Sequence, residues 1–223
     1  MLVGGGYSIK EGIDEGLWWR LRRSNVWSVN YAYQAMTDTF VPAVQLWQDL
    51  GFWIENQRNL IKLHSRGCQL YAREEEDYRL YPHVQQWRTS KERYCGREGI
   101  KFNTIFTGRM GLTGVFALSL AVARGFDRIY LLGYDFGTPS IADAHTHFYS
   151  GQNDQAGNPH LYRCADDLVR SEVSDFDQFR QTRVEIVNVT SRSNIESFPK
   201  IGYAEFFKQL EREQEQEGVS VNE

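Results

Sequence analysis

The 223 residues are 41% hydrophobic and carry 25 Lys and Arg against 29 Asp and Glu, a formal net charge of −4. That apolar content buries a core at the upper size of one domain, and the acidic balance excludes nucleic acid as a partner held by a broad basic surface, leaving only a local patch at Arg20, Arg22 and Arg23. No stretch approaches the roughly 20 apolar residues of a membrane span, and the first residues lack the basic-then-apolar order of a signal peptide, so a cytoplasmic protein is expected.

Leu2 and Val3 run straight into Gly4, Gly5 and Gly6, which reads as a short strand, a tight turn and a helix start. A helix of about ten residues leads to a second strand at 25–30, where Val26, Trp27 and Val29 are the apolar positions. The run 40–47 fits a strand by its β-branched and aromatic content, with Asp49 and Gly51 as punctuation. Helical spacing follows over 52–64, Gly67 ends it, and 68–71 reads as another strand.

Residues 74–99 show no sustained period and are expected to be an irregular insertion. A strand at 101–106 is followed by a helix at 115–123 that is apolar on nearly every side, the mark of a helix buried against a sheet. The run 128–133 is continuously apolar, as in a central parallel strand. A long polar loop spans 134–159, a charged helix 164–181, a strand 184–189, and a last helix begins after Gly202. The alternation predicts an α/β fold: a Rossmann-like, doubly wound, mostly parallel sheet with helices on both faces, formed by residues 1–210 as a single nucleotide-binding domain. The acidic, glutamine-rich tail 211–223 reads as disordered. Cys68, Cys95 and Cys164 are odd in number and widely spaced, so neither a disulfide framework nor a zinc site is expected.

Strand-to-helix turns of such a sheet gather at one edge, where unpaired N–H groups favour anions. Gly4, Gly5 and Gly6, with Ser8 behind them, are the leading candidates for a phosphate-facing turn, because glycine admits positive φ and close approach of a ligand. A tight turn without ligand explains the same triplet. Asn30, at the end of the second strand, suits a ribose or base, or a simple strand cap; Thr113 and Gly114 open the buried helix toward the same cleft, or cap it. Asp135 follows the central strand, and His145 and His147 lie in the loop beyond, an arrangement suited to proton abstraction or to holding a divalent ion. Asn188, Ser191 and Ser193 belong to a polar segment fit for base or ribose recognition, or for turns of purely local origin.

Several blocks together carry a resemblance: Val3 to Ile9, Val29-Asn30, Leu112 to Ala117, Gly125-Phe126 and Ile129 to Phe136. In order and content they resemble bacterial sialyltransferases that use CMP-activated sialic acid, and also MptE-like 6-hydroxymethylpterin pyrophosphokinases with their relatives in phages and flagellin-modification loci. The resemblance covers about half the chain. It implies nucleotide-sugar contacts at Gly4, Gly5, Gly6, Asn30, Thr113 and Gly114. Gly5 replaces a turn asparagine of the sialyltransferases, and Gly137 replaces a tyrosine that helps stabilise the leaving phosphate. The family's general-base histidine has His160 as a possible counterpart, while the loop around His145 and His147 is similar to the MptE-like and phage proteins.

Three functions follow as expectations. The first is a glycosyltransferase that binds a CMP- or UDP-type nucleotide sugar as substrate, with no tightly bound cofactor, and deprotonates a hydroxyl-bearing acceptor through His147, His145 or His160. The second is a pyrophosphokinase in which Asp135 helps hold Mg. The third is a non-catalytic nucleotide-binding or scaffold protein of the same fold. A homo-oligomer is compatible with each.

Overall fold

The structure is a computed structural model, and it describes residues 1–73, 81–87, 113–136, 173–190 and 193–220. Among these residues eight strands form one sheet: β1 (Leu2–Val3), β2 (Trp27–Val29), β3 (Val44–Trp47), β4 (Gln69–Arg73), β5 (Val84–Trp87), β6 (Arg128–Leu132), β7 (Glu185–Val189) and β8 (Lys200–Ile201). The order is β5-β4-β3-β2-β1-β6-β7-β8, and every pairing is parallel. The fold is therefore α/β and Rossmann-like, with a sheet that is wholly parallel.

Alternation along the strands divides the core between two faces. Leu2, Val29, Leu46, Ile129, Leu131 and Ile186 join one cluster, and the intervening Val3, Tyr130, Leu132 and Val187 join the other. The first face is covered by α4 (Thr113–Ala123), whose residues from Thr113 to Val122 are all buried, which explains why its sequence is apolar all round. The opposite face is covered by α1 (Ile9–Asp14), α2 (Leu17–Arg20), α3 (Leu50–Ser65) and α5 (Tyr203–Ser220). α5 buries Tyr203, Phe206, Phe207 and Leu210, the i, i+3, i+4, i+7 stripe of an amphipathic helix. Gly12 lets α1 approach it closely: a Cβ there would lie 2.3 Å from the Tyr203 ring.

Several expectations change. The insertion expected at 74–99 contains β5, a regular edge strand paired in register with β4, Leu70 opposite Val84; its charged and polar flanks hide a four-residue strand from any periodicity test. The helix after β1 is broken into α1, α2 and a 3-10 turn at Leu21–Arg23, because Gly16 takes φ 81° between them. The described end of the charged 164–181 segment is 3-10 helical, Ser174–Gln181. β8 is a two-residue strand too short to show a pattern. The tail expected to be disordered continues α5 to Ser220, and Glu211 and Glu213 pair with Arg20 and Arg128. The strand expected at 101–106 and the loop beyond Phe136 lie outside the described residues.

Candidate functional site

The chain builds β1 to β5 outward in one direction, then returns to place β6 on the other side of β1. The sheet's switch point lies between β1 and β6, and the crevice beyond the carboxyl ends of such neighbours is where open parallel sheets take ligands. The two turns that meet there are the glycine triplet and the segment Gly133 to Phe136. The Gly4 and Gly6 N–H groups donate to the Leu132 and Gly133 carbonyls, both at 2.8 Å.

This contact accounts for the glycines at positions 4, 6 and 114. A Cβ at Gly4 would stand 2.6 Å from the Gly133 oxygen and 3.1 Å from the Tyr134 ring. At Gly6 it would stand 2.6 Å from both the Gly133 oxygen and Asp135 Cγ, and at Gly114 it would stand 2.9 Å from the Tyr134 ring. Tyr134 is thus wedged between the triplet and the start of α4. The positive-φ glycines among the described residues are Gly16, Gly67, Gly125 and Gly133. Left-handed freedom, expected of the triplet, is used instead at Gly133 (φ 66°) across the crevice. Gly5, partly exposed between two buried neighbours, is the member of the triplet open to solvent.

Asp135 lies on the same edge as the triplet. Its Oδ2 accepts the Ser8 N–H at 2.8 Å, and its Oδ1 accepts the Ser8 hydroxyl at 2.5 Å. A carboxylate here also complements the N–H groups that open α1. Ser8 is 1% exposed, so its side chain ties the two turns together. The buried Tyr203 hydroxyl lies beside them, and burial, then the Asp135 charge, pushes its ionisation above the ordinary tyrosine range. No group of three or more His, Cys, Asp or Glu suited to a metal occurs among the described residues.

Asn30 closes β2 on the same edge, at φ 50°. Its Oδ1 is buried without a hydrogen-bond partner among the described residues, while its carbonyl accepts the Gln45 side-chain amide at 2.9 Å. Asn tolerates the left-handed region better than most residues. The buried, unpaired acceptor is a separate feature, because such groups are rare and costly. The other non-glycine residue at positive φ among those described is Phe136, at 45°, where a bulky side chain is strained. Its ring is held against Phe176 and Tyr134, with centroids 5.4 and 6.0 Å away. Both outliers stand at the carboxyl edge, beyond the ends of β2 and β6, the strands that flank β1.

The polar segment after β7 has a structural use. Ser193 donates to the Tyr134 carbonyl at 2.7 Å, Asn194 Nδ2 donates to the Phe136 carbonyl at 2.9 Å, and the Asn194 N–H donates to the Asp135 carbonyl at 2.8 Å. Asn188 is fully buried, with its amide 3.5 Å from the Tyr134 carbonyl and its Oδ1 unpaired among the described residues. These residues brace the β6 exit. Thr113, 9% exposed, is the first residue of α4. Ser191, His145, His147, His160 and Gly137 lie outside the described residues. Gln45 and Tyr203 were not expected at this edge; a glutamine inside the apolar run Val44 to Trp47 is the one sequence signal of a buried polar role.

No protein-family model matches the chain, and no curated protein matches it by sequence. Solved structures match it by fold. One is the sialyltransferase CST-II in complex with trisaccharide acceptor and CMP, at TM-score 0.55 and 16% identity over 90% of this chain and 85% of that one. Another is CstII from Campylobacter jejuni with cytidine-5′-monophosphate, at TM-score 0.54 and 15% identity over 90% and 84%. The same enzyme with the substrate analogue CMP-3FNeuAc matches at TM-score 0.50 and 15% identity over 90% and 85%. At these identities the likeness is one of fold, and it lends nothing to the pyrophosphokinase side of the resemblance. No described helix is long and apolar enough to cross a membrane.

Proposed function

We propose that the chain is a glycosyltransferase that takes a CMP-type nucleotide sugar in the crevice between β1 and β6. The observation that carries this reading is Asn30: an amide oxygen buried and without a partner among the described residues, held at φ 50° on the carboxyl edge of the sheet. A nucleotide donor group reaching it supplies the missing hydrogen bond. The fold shared with CMP-binding sialyltransferases supports the choice of nucleotide.

In this reading Gly5 lies under the phosphate, and Gly4, Gly6 and Gly114 keep the crevice walls close together. Asp135 and Ser8 act as positioning residues, since each Asp135 oxygen already accepts a hydrogen bond from Ser8. Thr113 opens α4 on the same side. The acceptor hydroxyl attacks the anomeric carbon as the bond from that carbon to the phosphate oxygen breaks, and the nucleotide leaves with the electron pair. His147, with His145 as the second choice, takes the hydroxyl proton. An imidazole is largely neutral near pH 7 and suited to that role. The rate gain comes from orientation and from donors aimed at the departing phosphate.

The test is calorimetric titration with CMP, UDP, GDP and ATP, each with and without Mg²⁺. CMP is expected to bind most tightly and without metal, and Gly5→Val should abolish that binding while the melting curve stays cooperative. Tighter, Mg²⁺-dependent binding of ATP would replace this reading with the pyrophosphokinase one. His147→Ala should lower turnover by about a hundredfold with little change in nucleotide affinity.

A further inference from the structure

A second concavity lies at the opposite edge of the sheet. Arg128, at the amino end of β6, pairs with Glu213 of α5, and one half-turn earlier on α5 Glu211 pairs with Arg20 at 2.6 Å. Between this part of α5 and the α2 region is an open pocket of about 350 Å³, lined by Glu15, Trp19, Arg22, Arg23, Phe207 and Glu211 among others.

Its lining combines three chemistries. Trp19 is 71% exposed, although an indole is ordinarily covered, and the Arg22 guanidinium stacks on its ring 3.5 Å from the centroid. Arg23 is exposed and has no hydrogen bond or ion pair among the described residues, so with Arg22 it offers two cations to one ligand. Arg20 is not available: Glu211 holds it, and it stacks on Phe207 at 4.5 Å. Glu15, Glu211 and Gln214 then present acceptors beside those cations, and beneath them Phe207 and Leu210 are buried, with the Arg20 guanidinium covering the Phe207 ring.

We propose that this pocket binds a carboxylate-bearing saccharide, remote from the crevice between β1 and β6. Arg22 and Arg23 fit the carboxylate, since guanidinium is the side chain matched to planar anions. The face of the exposed Trp19 ring that Arg22 leaves open fits the apolar face of a pyranose, and the Glu and Gln side-chain oxygens accept hydrogen bonds from its hydroxyls. The same carboxylates disfavour a polyanion. A nucleic acid backbone or an anionic membrane is held by dense cationic surface, whereas here Glu15 and Glu211 stand among the arginines. The volume suits one or two sugar rings, as pockets of roughly 300–1,000 Å³ suit small ligands. The inference does not rest on the transferase reading.

The experiment is a titration of the full chain with 3′-sialyllactose and, in parallel, with lactose, which differs only in lacking the acidic sugar, followed by calorimetry and tryptophan fluorescence. Sialyllactose is expected to bind at least tenfold more tightly than lactose. Trp19→Ala and the double variant Arg22→Ala/Arg23→Ala should each weaken it by tenfold or more, with melting temperatures close to the parent because the altered side chains are exposed. Gly5→Val should leave this binding unchanged, which separates the pocket from the nucleotide crevice. Absence of binding, equal affinity for the two sugars, or unchanged affinity in the variants would overturn the proposal. So would inorganic phosphate or phosphatidylserine vesicles binding as tightly as sialyllactose.

Discussion

Substituting Gly6 by alanine tests whether the glycine turn is shaped by the protein or by a ligand. The added Cβ would lie 2.6 Å from the Gly133 carbonyl oxygen and 2.6 Å from Asp135 Cγ. Neither neighbour moves freely. The Gly133 carbonyl accepts the Gly6 N–H at 2.8 Å, and Gly133 itself is confined because it sits at φ 66° against Gly4. Asp135 is held by two hydrogen bonds from Ser8. Overpacking against fixed atoms costs about 1–3 kcal/mol. Losing one hydrogen bond to a charged group adds about 1.5–3 kcal/mol, so Gly6→Ala should destabilise by about 3 kcal/mol. Urea denaturation would show the midpoint falling by roughly 1 M or more. The cycle with Asp135→Ala gives the sharper reading. Once the carboxylate is gone, alanine at this position should cost at least about 1 kcal/mol less, a coupling expected of residues in contact. A loss below about 0.5 kcal/mol, or strict additivity in the cycle, would refute the packing account and return Gly6 to the ligand.

Three further outcomes follow from the same geometry. Asn30→Gly should hold stability within about 1 kcal/mol, because glycine suits φ 50°, yet weaken CMP binding tenfold or more in the same titration; unchanged affinity would make Asn30 a backbone residue only. Burial pushes the Tyr134 phenol above its ordinary value of 10.0, and burial and Glu213 push Tyr130 up to about 12. Above pH 10 the unfolded chain therefore binds fewer protons than the folded one and stability falls with rising pH; in denaturant titrations across pH 9–12, Tyr134→Phe should make that fall shallower while leaving neutral-pH stability unchanged or higher, since the buried hydroxyl has no partner among the described residues. Glu213→Gln should cost less than about 1 kcal/mol, and less still in high salt, because its partner Arg128 is 44% exposed.

The sheet was legible where strands are long and wholly apolar. The run at β6 announces an interior strand, and the all-apolar α4 announces a buried helix, because both patterns report burial directly. β5 and β8 were not legible, for four and two residues carry no period and their pairing is decided by the neighbouring strand. The carboxyl edge of the sheet was legible as an edge: Gly5, Asn30, Thr113 and Asp135 all belong to turns that leave β-strands or open α4. Their partners were not. The bond from Ser8 to Asp135 spans 127 positions, and nothing local distinguishes a serine that binds a ligand from one that binds a distant carboxylate. The same holds for Asn188 and Ser193, whose polarity suggested recognition and whose side chains both reach the Tyr134 carbonyl at the β6 exit.

The pairing of β1 with β6 has a bearing on how the chain folds. From β1 to β5 each strand lies beside its predecessor in sequence, so that half of the sheet can grow by short loop closures. The seam Leu2–Leu131 and Val3–Leu132 joins segments far apart in the chain, and such contacts pay the largest closure entropy and form slowly. The crevice exists only once that seam has closed. A chain halted with β1 to β5 assembled would carry much native secondary structure and no crevice, so recovery of the proposed CMP binding during refolding should lag behind recovery of far-ultraviolet ellipticity.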